Sequence, residues 1–131
     1  MYKTILLPTD GSELSLKAAD AAIEMTKLLG SRLVVWSGAP IYVLPFATAS
    51  DVDPALLMAE AKREAQANVD EVAKRAAVAG ITCDTFITTT DSPWEDIIGA
   101  AKERSCDLIF MASHGRGGLA ALLLGSETHK V

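Results

Sequence analysis

Short apolar runs alternate along this chain with longer segments whose apolar residues recur every three or four positions. The runs Thr4–Pro8, 33–36, 82–88 and 107–112 have the length of buried strands. The segments between them are rich in alanine and have the spacing of amphipathic helices. Strands and helices that alternate at this spacing require right-handed crossovers. The predicted fold class is therefore α/β, with a doubly wound, mostly parallel sheet.

Short polar residues and prolines mark where the predicted helices begin. Ser12 precedes the first helical segment and Gly30 follows it, which suits an N-cap and the left-handed residue after a helix end. Asp53 and Ser92 each precede a proline, a pairing typical of an N-cap and the first helical position. The two later helices are predicted over residues 55–79 and 94–104.

Two segments are harder to interpret from their pattern. Residues 38–52 include two prolines and show no clean period, so we predict a long loop there. Residues 119–124 are apolar and lie between glycine-rich turns, and we predict that they are helical.

Charge and hydropathy restrict the classes of partner. The net charge is −5, and the lysines and arginines do not gather into a basic face, which argues against nucleic acid. No apolar run approaches the roughly 20 residues that span a bilayer, and no basic-then-apolar leader opens the chain. We therefore expect one domain, residues 1–131, in the cytoplasm, with neither nucleic acid nor membrane as a partner.

Residues that often carry chemistry are few. Cys83 and Cys106 each lie beside an apolar segment and are interpreted as buried thiols, with no disulfide. His114 and His129 have no carboxylate or cysteine at a metal-ligand spacing, so we expect no zinc site. No nucleophile stands beside a base, and we expect no catalytic residues and at most slow turnover.

The turn after the first strand, Pro8-Thr9-Asp10-Gly11-Ser12, is one candidate site. In open α/β sheets, ligands bind beyond the carboxyl ends of the strands, where the strand order reverses. The Asp10 carboxylate could there accept hydrogen bonds from a ribose or a base. The alternative is that Asp10 only shapes the turn or caps the helix, because aspartate is favoured in such turns.

The segment after the fourth strand is the second candidate site. Glycines are frequent over residues 112–118, and Gly125-Ser126 follows a further apolar stretch. Glycine lets backbone amides approach an anion closely, and a Gly-Ser pair that opens a helix presents free amides and a hydroxyl. This is chemistry for phosphate. The alternative is two ordinary glycine-rich turns.

These residues resemble the motifs of the universal stress protein family. The family has an opening strand that ends Pro-x-Asp-x-Ser, a segment D-L-I-x-M-G-x-H-G and, in nucleotide-binding members, the pattern G-x2-G-x9-G-S. The matching segments here are Pro8-Thr9-Asp10-Gly11-Ser12, Asp107 through Gly115, and Gly115 followed by nine residues and Gly125-Ser126. The resemblance covers the whole chain in order and spacing.

The resemblance implies a site for an adenine nucleotide, ATP, with or without magnesium. Asp10 would meet the ribose or adenine, and Pro8 and Thr9 would form the adjoining wall. The backbone at Ser37 would border the adenine. The phosphate path would be lined by Ala112, Gly115 and Arg116. The phosphates would be held by Gly125, Ser126, Glu127 and Thr128.

The sequence departs from the family pattern at three places. Ala112 replaces the first glycine of the nucleotide pattern. Glu127 places a carboxylate beside the expected phosphates, which would weaken binding unless Glu127 points outward or shares a divalent cation. The resemblance implies a Rossmann-like sheet of the adenine nucleotide α-hydrolase type, with strand order 3-2-1-4. Because the chain stops at Val131, we expect the family's fifth edge strand to be missing, the domain to be incomplete at its C-terminus and the edge of the fourth strand to be exposed.

Four functional hypotheses follow. The first is an ATP-binding stress-response regulator that acts through nucleotide-dependent contacts with a protein partner, as a homodimer. The second, favoured by Ala112 and Glu127, is a nucleotide-free dimerising interaction module of the same fold. The third is an enzyme of the wider adenine-nucleotide α/β class, disfavoured because H-x-G-H and S-G-G-x-D-S are missing. The fourth, a receiver-type phosphoacceptor at Asp10, lacks an acidic partner pair for magnesium.

Overall fold

A computed structural model describes residues 3–41, 53–112 and 119–123, with Ala112 and residues 119–123 described by their backbone alone. Strands and helices alternate through most of this part of the chain, as the sequence predicts. The elements are β1 (Thr4–Pro8), α1 (Glu13–Leu29), β2 (Arg32–Pro40), α2 (Pro54–Val78), β3 (Cys83–Thr90), α3 (Pro93–Glu103), β4 (Leu108–Ala112) and β5 (Leu119–Leu123).

The described strands form one sheet in the order β3-β2-β1-β4-β5. The pairs β1–β2, β2–β3 and β1–β4 are parallel. The α/β fold class and the strand order 3-2-1-4 are therefore confirmed. The chain winds from β1 out to β3 and then returns to the other side of β1, so the strand order reverses between β1 and β4.

The helix predicted over residues 119–124 is wrong where the structure describes the backbone. Leu119–Leu123 is a strand that pairs antiparallel with β4, from Leu108 opposite Leu123 to Ala112 opposite Leu119. The expectations that a fifth edge strand is missing and that β4 has an exposed edge are also wrong, because β5 occupies that edge. A short apolar run is compatible with either structure, and here pairing with a neighbouring strand decided between them.

The core lies in two layers because successive residues of a strand point to opposite faces of the sheet. Ile5 and Leu7 pack with α1 and α2 on one face, whereas Leu6 packs with α3 on the other. Each of these three side chains has no exposed surface. The helices contribute mainly alanine to both layers, which lets them approach the sheet closely and explains how so few aromatic residues suffice.

The predicted starts of the first two helices are confirmed. Ser12 Oγ accepts a hydrogen bond of 3.2 Å from the Ser15 amide, and Gly30 has the left-handed φ of 67°. Asp53 Oδ1 accepts a 2.9 Å bond from the Ala55 amide. Ser92 also occupies the N-cap position of α3, with Pro93 as the first helical residue as predicted, but its side chain makes no capping bond. Its φ and ψ of −143° and 81° differ from the extended cap conformations at Ser12 and Asp53.

The second strand is longer than the sequence predicts. It continues through Gly38 to Pro40, residues we assigned to a loop, because β3 pairs with it as far as Pro40 opposite Thr90. A Cβ on Gly38 would lie 2.6 Å from Thr90 Cγ2 and 2.9 Å from two carbons of the Trp36 ring. Glycine at this position therefore reflects close packing inside a strand. The remainder of the predicted loop, residues 42–52, lies outside the described residues.

Both cysteines carry free thiols. Cys106 is buried between β4 and α3, and burial raises the pKa of its thiol to about 11. Cys83 is half-buried, and burial likewise raises its pKa. Within the described ranges, no helix has the length and hydropathy to cross a membrane.

Candidate functional site

A cavity of about 490 Å³ opens at the carboxyl ends of β1 and β2. Its walls include the β1–α1 turn, the end of β2, one face of α2 and residues from β3, α3 and β4. It lies beside the position where the strand order reverses between β1 and β4. This is the position at which doubly wound sheets bind ligands.

The β1–α1 turn is held by its own side chains. Thr9 Oγ1 donates a 3.1 Å hydrogen bond to Ser15 Oγ and accepts a 3.3 Å bond from the Gly11 amide. Asp10 Oδ1 accepts a 2.9 Å bond from the Ser12 amide. Gly11 has a φ of 80°, which a residue with a side chain adopts only under strain. The turn therefore presents Asp10 to the cavity in one fixed conformation.

The ionisation of Asp10 is set by opposing effects. Partial burial raises the pKa of this carboxyl, but hydrogen bonds from Ser12 and Ser15 outweigh it and bring the pKa below the usual value of 3.8. Asp10 is therefore an anion at neutral pH and acts as an acceptor of hydrogen bonds. Because Asp10 is exposed and lines the cavity, a hydroxyl or amino group of a ligand can reach it.

The end of β2 forms a second wall and is bonded to the same turn. Ser37, only 1% exposed, donates a 2.7 Å hydrogen bond from its Oγ to the carbonyl oxygen of Thr9. The Thr9 amide donates a 2.9 Å bond to the carbonyl oxygen of Trp36. Ser37 Oγ in turn accepts a 3.2 Å bond from Asn68 Nδ2 on α2. One chain of hydrogen bonds thus joins α2, β2 and the Asp10 turn.

Other lining residues were missed by the sequence analysis. Ala61, Glu64, Ala65 and Asn68 line the cavity from α2, with the three- and four-residue spacing of a single helix face. That spacing was available in the sequence, but nothing local indicated that this face points to a ligand site. Further lining residues come from the end of β3, from α3 and from β4, and these are Thr90, Pro93, Ile97 and Met111.

The structure brings together part of the predicted site. Pro8, Thr9, Asp10 and Ser37 all line the cavity. The backbone of Ala112 ends β4, where it pairs with Leu119. The other predicted site residues lie outside the described residues: Gly115, Arg116, Gly125, Ser126, Glu127 and Thr128.

The described walls combine carboxylates with apolar surface. Among the described residues that line the cavity, the ionisable side chains are Asp10 and Glu64, and both are carboxylates. Trp36, Ala61, Ala65, Ile97 and Met111 supply apolar surface beside them. Such walls suit an uncharged ligand moiety that combines an apolar surface with hydroxyl or amino donors. Neutralisation of a phosphate would require groups other than these.

Comparison with known proteins decides the family. The model of the universal stress protein family matches residues 1–131, the full length of the chain. This chain belongs to the universal stress protein family. It is 33% identical over 134 residues to a universal stress protein of Methanocaldococcus jannaschii, covering 100% of this chain and 76% of that protein. It is 30% identical over 139 residues to the universal stress protein YxiE of Bacillus subtilis, covering 100% and 92%.

Solved structures of universal stress proteins share the fold. A family member from Burkholderia pseudomallei superposes with a TM-score of 0.74 and 25% identity, covering 86% of this chain and 83% of that one. A universal stress protein in complex with cAMP gives a TM-score of 0.62, 24% identity and coverages of 82% and 74%. An Arabidopsis thaliana family protein with AMP bound gives 0.66, 12% identity and coverages of 88% and 79%.

Proposed function

We propose that this universal stress protein binds an adenine nucleotide in the described cavity and acts as a stress-response regulator. The observation that carries the proposal is the Asp10 carboxylate, fixed by the Ser12 amide and facing a cavity at the reversal of strand order. Family membership supports the stress-related role. The cAMP and AMP bound to two proteins of the same fold support an adenine ligand.

The described walls would take the nucleoside part of the ligand. Asp10 would accept hydrogen bonds from the ribose or adenine, and Pro8 and Thr9 would form the adjoining wall. The backbone at Ser37 would border the adenine. All four residues line one cavity, which supports their joint assignment. The acidic and apolar character of these walls agrees with an uncharged nucleoside moiety.

The phosphates would be bound by the segment after β4. Ala112, Gly115 and Arg116 would line the phosphate path, with the Arg116 guanidinium as a cation that pairs with phosphate oxygens. Gly125, Ser126, Glu127 and Thr128 would hold the phosphates through backbone amides and hydroxyls. Glu127 would share a magnesium ion with them. We therefore propose ATP with magnesium as the physiological ligand.

A direct test is to denature freshly purified protein and analyse the supernatant for adenine nucleotides by mass spectrometry. Protein stripped of nucleotide is then titrated with ATP and magnesium by calorimetry. Stoichiometric nucleotide or micromolar binding is the expected result. A blank in both measurements would reject nucleotide binding.

Variants can test the nucleoside part and the phosphate part of the proposed site independently. Asp10→Ala removes the hydrogen-bond acceptor for the nucleoside, so it should weaken the binding of adenosine and of ATP by a similar factor. Gly125→Ala and Ser126→Ala alter the proposed phosphate contacts, so they should weaken the binding of ATP and leave the binding of adenosine unchanged. Gln66→Ala is a suitable control, because this exposed residue bonds Asp70 on the outer surface of α2. Equal loss of both ligands in the Gly125 variant would contradict the assignment.

The second candidate is a nucleotide-free dimerising interaction module of the same fold. Ala112 favours it, because a methyl group stands where the nucleotide pattern has its first glycine. The module predicts that Gly125→Ala and Ser126→Ala retain biological activity, whereas the nucleotide-dependent regulator predicts its loss with folding retained. The generally regulatory character of the family supports a role without turnover. Rapid ATP turnover by pure protein would favour an enzyme instead.

Assembly and location belong to the same proposal. We propose that residues 1–131 form one domain that works in the cytoplasm as a homodimer and contacts a further protein when nucleotide is bound. Light scattering of the purified protein with and without ATP measures the first of these properties. A monomer at all concentrations up to those used for calorimetry would contradict the homodimer.

A further inference from the structure

Asn68 is one of the residues that line the cavity. It lies on α2, one turn after Glu64 and Ala65, which line the same cavity. Its neighbour Val69 is fully buried in the core between α2 and the sheet, so the backbone of the helix is fixed at this point. The Asn68 side chain therefore extends from a rigid support toward the ends of β1 and β2.

The hydrogen bonds of Asn68 fix the direction of the bond that Ser37 makes. Asn68 Nδ2 donates to Ser37 Oγ at 3.2 Å, and Ser37 Oγ donates to the Thr9 carbonyl at 2.7 Å. A serine hydroxyl has one proton to donate. Because the Asn68 amide occupies Ser37 as a donor, the Ser37 proton is directed to Thr9, the residue just before Asp10.

Asn68 also contacts the turn itself. A Cβ on Gly11 would overlap Asn68 Oδ1 and would lie 2.9 Å from Asn68 Cγ. Gly11 follows Asp10 directly, so Asn68 acts on the turn from both sides of the carboxylate. On one side it acts through Ser37 and Thr9, and on the other side by packing against Gly11.

We propose that Asn68 is a positioning residue that holds the Asp10 turn in its ligand-binding conformation. This inference depends on the proposed nucleotide site and adds to it a residue on α2 that does not belong to the family motifs described above. It couples the position of α2 to the carboxylate that would bind the nucleoside. Because Asn68 acts through the Asp10 turn, its substitution should weaken the binding even of ligands that carry no phosphate.

Asn68→Asp tests the polarity of the hydrogen bonds. The introduced carboxylate has nearly the same shape but accepts hydrogen bonds only, so the Ser37 proton turns toward it and the Thr9 carbonyl loses its partner. Adenosine is the probe because it is uncharged, which removes repulsion between the new carboxylate and phosphate. We expect adenosine to bind about tenfold more weakly, the effect of one lost hydrogen bond that leaves a buried group unsatisfied. Gln66→Glu adds the same charge to α2 and should leave binding unchanged.

A double-mutant cycle gives a second and independent test. Ser37→Ala and Asn68→Ala interrupt the same chain of hydrogen bonds. The double variant should therefore weaken adenosine binding no more than the single variant with the larger effect. In the ligand-free protein, the NMR amide resonances of Gly11 and Ser12 should shift in each Asn68 variant and remain in place in Gln66→Ala. Thermal unfolding of every variant separates positioning from a general loss of stability.

The outcomes separate this inference from the proposed function. Wild-type protein that binds neither adenosine nor ATP would overturn both. Wild-type binding that Asn68→Asp leaves unchanged would overturn the positioning role alone. Additive effects of Ser37→Ala and Asn68→Ala on adenosine binding would also overturn it. A third contradictory result would be that the Gly11 and Ser12 amide resonances do not shift and that adenosine affinity falls only in proportion to a lower unfolding temperature.

Discussion

The indole N–H of Trp36 donates a 2.8 Å hydrogen bond to Thr88 Oγ1, and the ring lies across Gly38. Trp36 is paired with Phe86 in the sheet, and Gly38 is paired with Thr88. The indole therefore extends along β2 from Trp36 toward the Gly38–Thr88 pair. This arrangement leaves no space for a side chain at position 38. It also places the indole in the wall of the cavity, next to Ser37.

Gly38→Ala should therefore destabilise the protein. The added methyl group has to displace the Trp36 ring or the Thr90 methyl, and overpacking of this kind costs about 1–3 kcal/mol. Urea unfolding measures the change in the free energy of unfolding. The matched control is Gly99→Ala in α3, where no atom lies within 4 Å of the new Cβ and the higher helix propensity of alanine should stabilise by up to about 1 kcal/mol. Equal effects at both positions would contradict the packing argument.

Gly11→Ala should cost more than Gly30→Ala. Both glycines have positive φ, of 80° and 67°, so both substitutions include a backbone strain of about 1–2 kcal/mol. Only Gly11 also meets a side chain, that of Asn68, whereas the space around Gly30 is open. In an Asn68→Ala background, the cost of Gly11→Ala should fall to that of Gly30→Ala. An unchanged difference between the two glycines in that background would exclude the contact as its cause.

Asp10 should contribute to stability in a defined pH range. Its folded pKa lies below the usual value of 3.8, so its contribution is complete above that value and is lost as the pH falls through the folded pKa. The thermal midpoints of wild type and Asp10→Asn should therefore differ by a constant amount between about pH 5 and pH 7 and converge below about pH 4. The comparison requires unfolding scans at fixed ionic strength. Convergence that begins near pH 6 would show that the folded pKa is raised.

Cys106 should react slowly with thiol reagents in the folded protein. Its pKa of about 11, raised mainly by burial, leaves about a hundredfold less thiolate at pH 8 than an unperturbed thiol with a pKa of 9.0 would have. Labelling with iodoacetamide, followed by mass spectrometry of peptides, should show Cys106 at least about a hundredfold slower in native buffer than in urea. Cys106→Ala identifies the signal. Comparable rates in both conditions would contradict its burial.

Much of the fold could be predicted because its signals are local. The strand Thr4–Pro8 was predicted to the residue, and the caps at Ser12 and Asp53 were correct, since each depends on a few neighbouring positions. Ser92 has the same sequence signal as Asp53 and occupies the same N-cap position, but its side chain makes no capping bond because its backbone adopts other angles. There the Ser92 amide donates to Thr90 Oγ1 at 3.1 Å, a contact that no capping rule anticipates.

The ends of the strands could not be predicted because strands depend on their partners. β2 extends to Pro40 because β3 continues beside it, although Gly38 and Pro40 both suggest a turn when read alone. The run Leu119–Leu123 is a strand because β4 offers it a free edge. In both cases hydrogen bonds between distant segments outweigh the local preference of the residues.

The sequence by itself determined the alternation of strands and helices, the fold class and the position of the Asp10 turn at the end of β1. These features follow from side-chain period and backbone preferences over a few residues. Only the tertiary structure decided which helix face completes the cavity. Asn68 and Ser37 are 31 positions apart, and their hydrogen bond exists because α2 packs across the sheet. No local pattern encodes that contact, since it depends on where two elements meet in space.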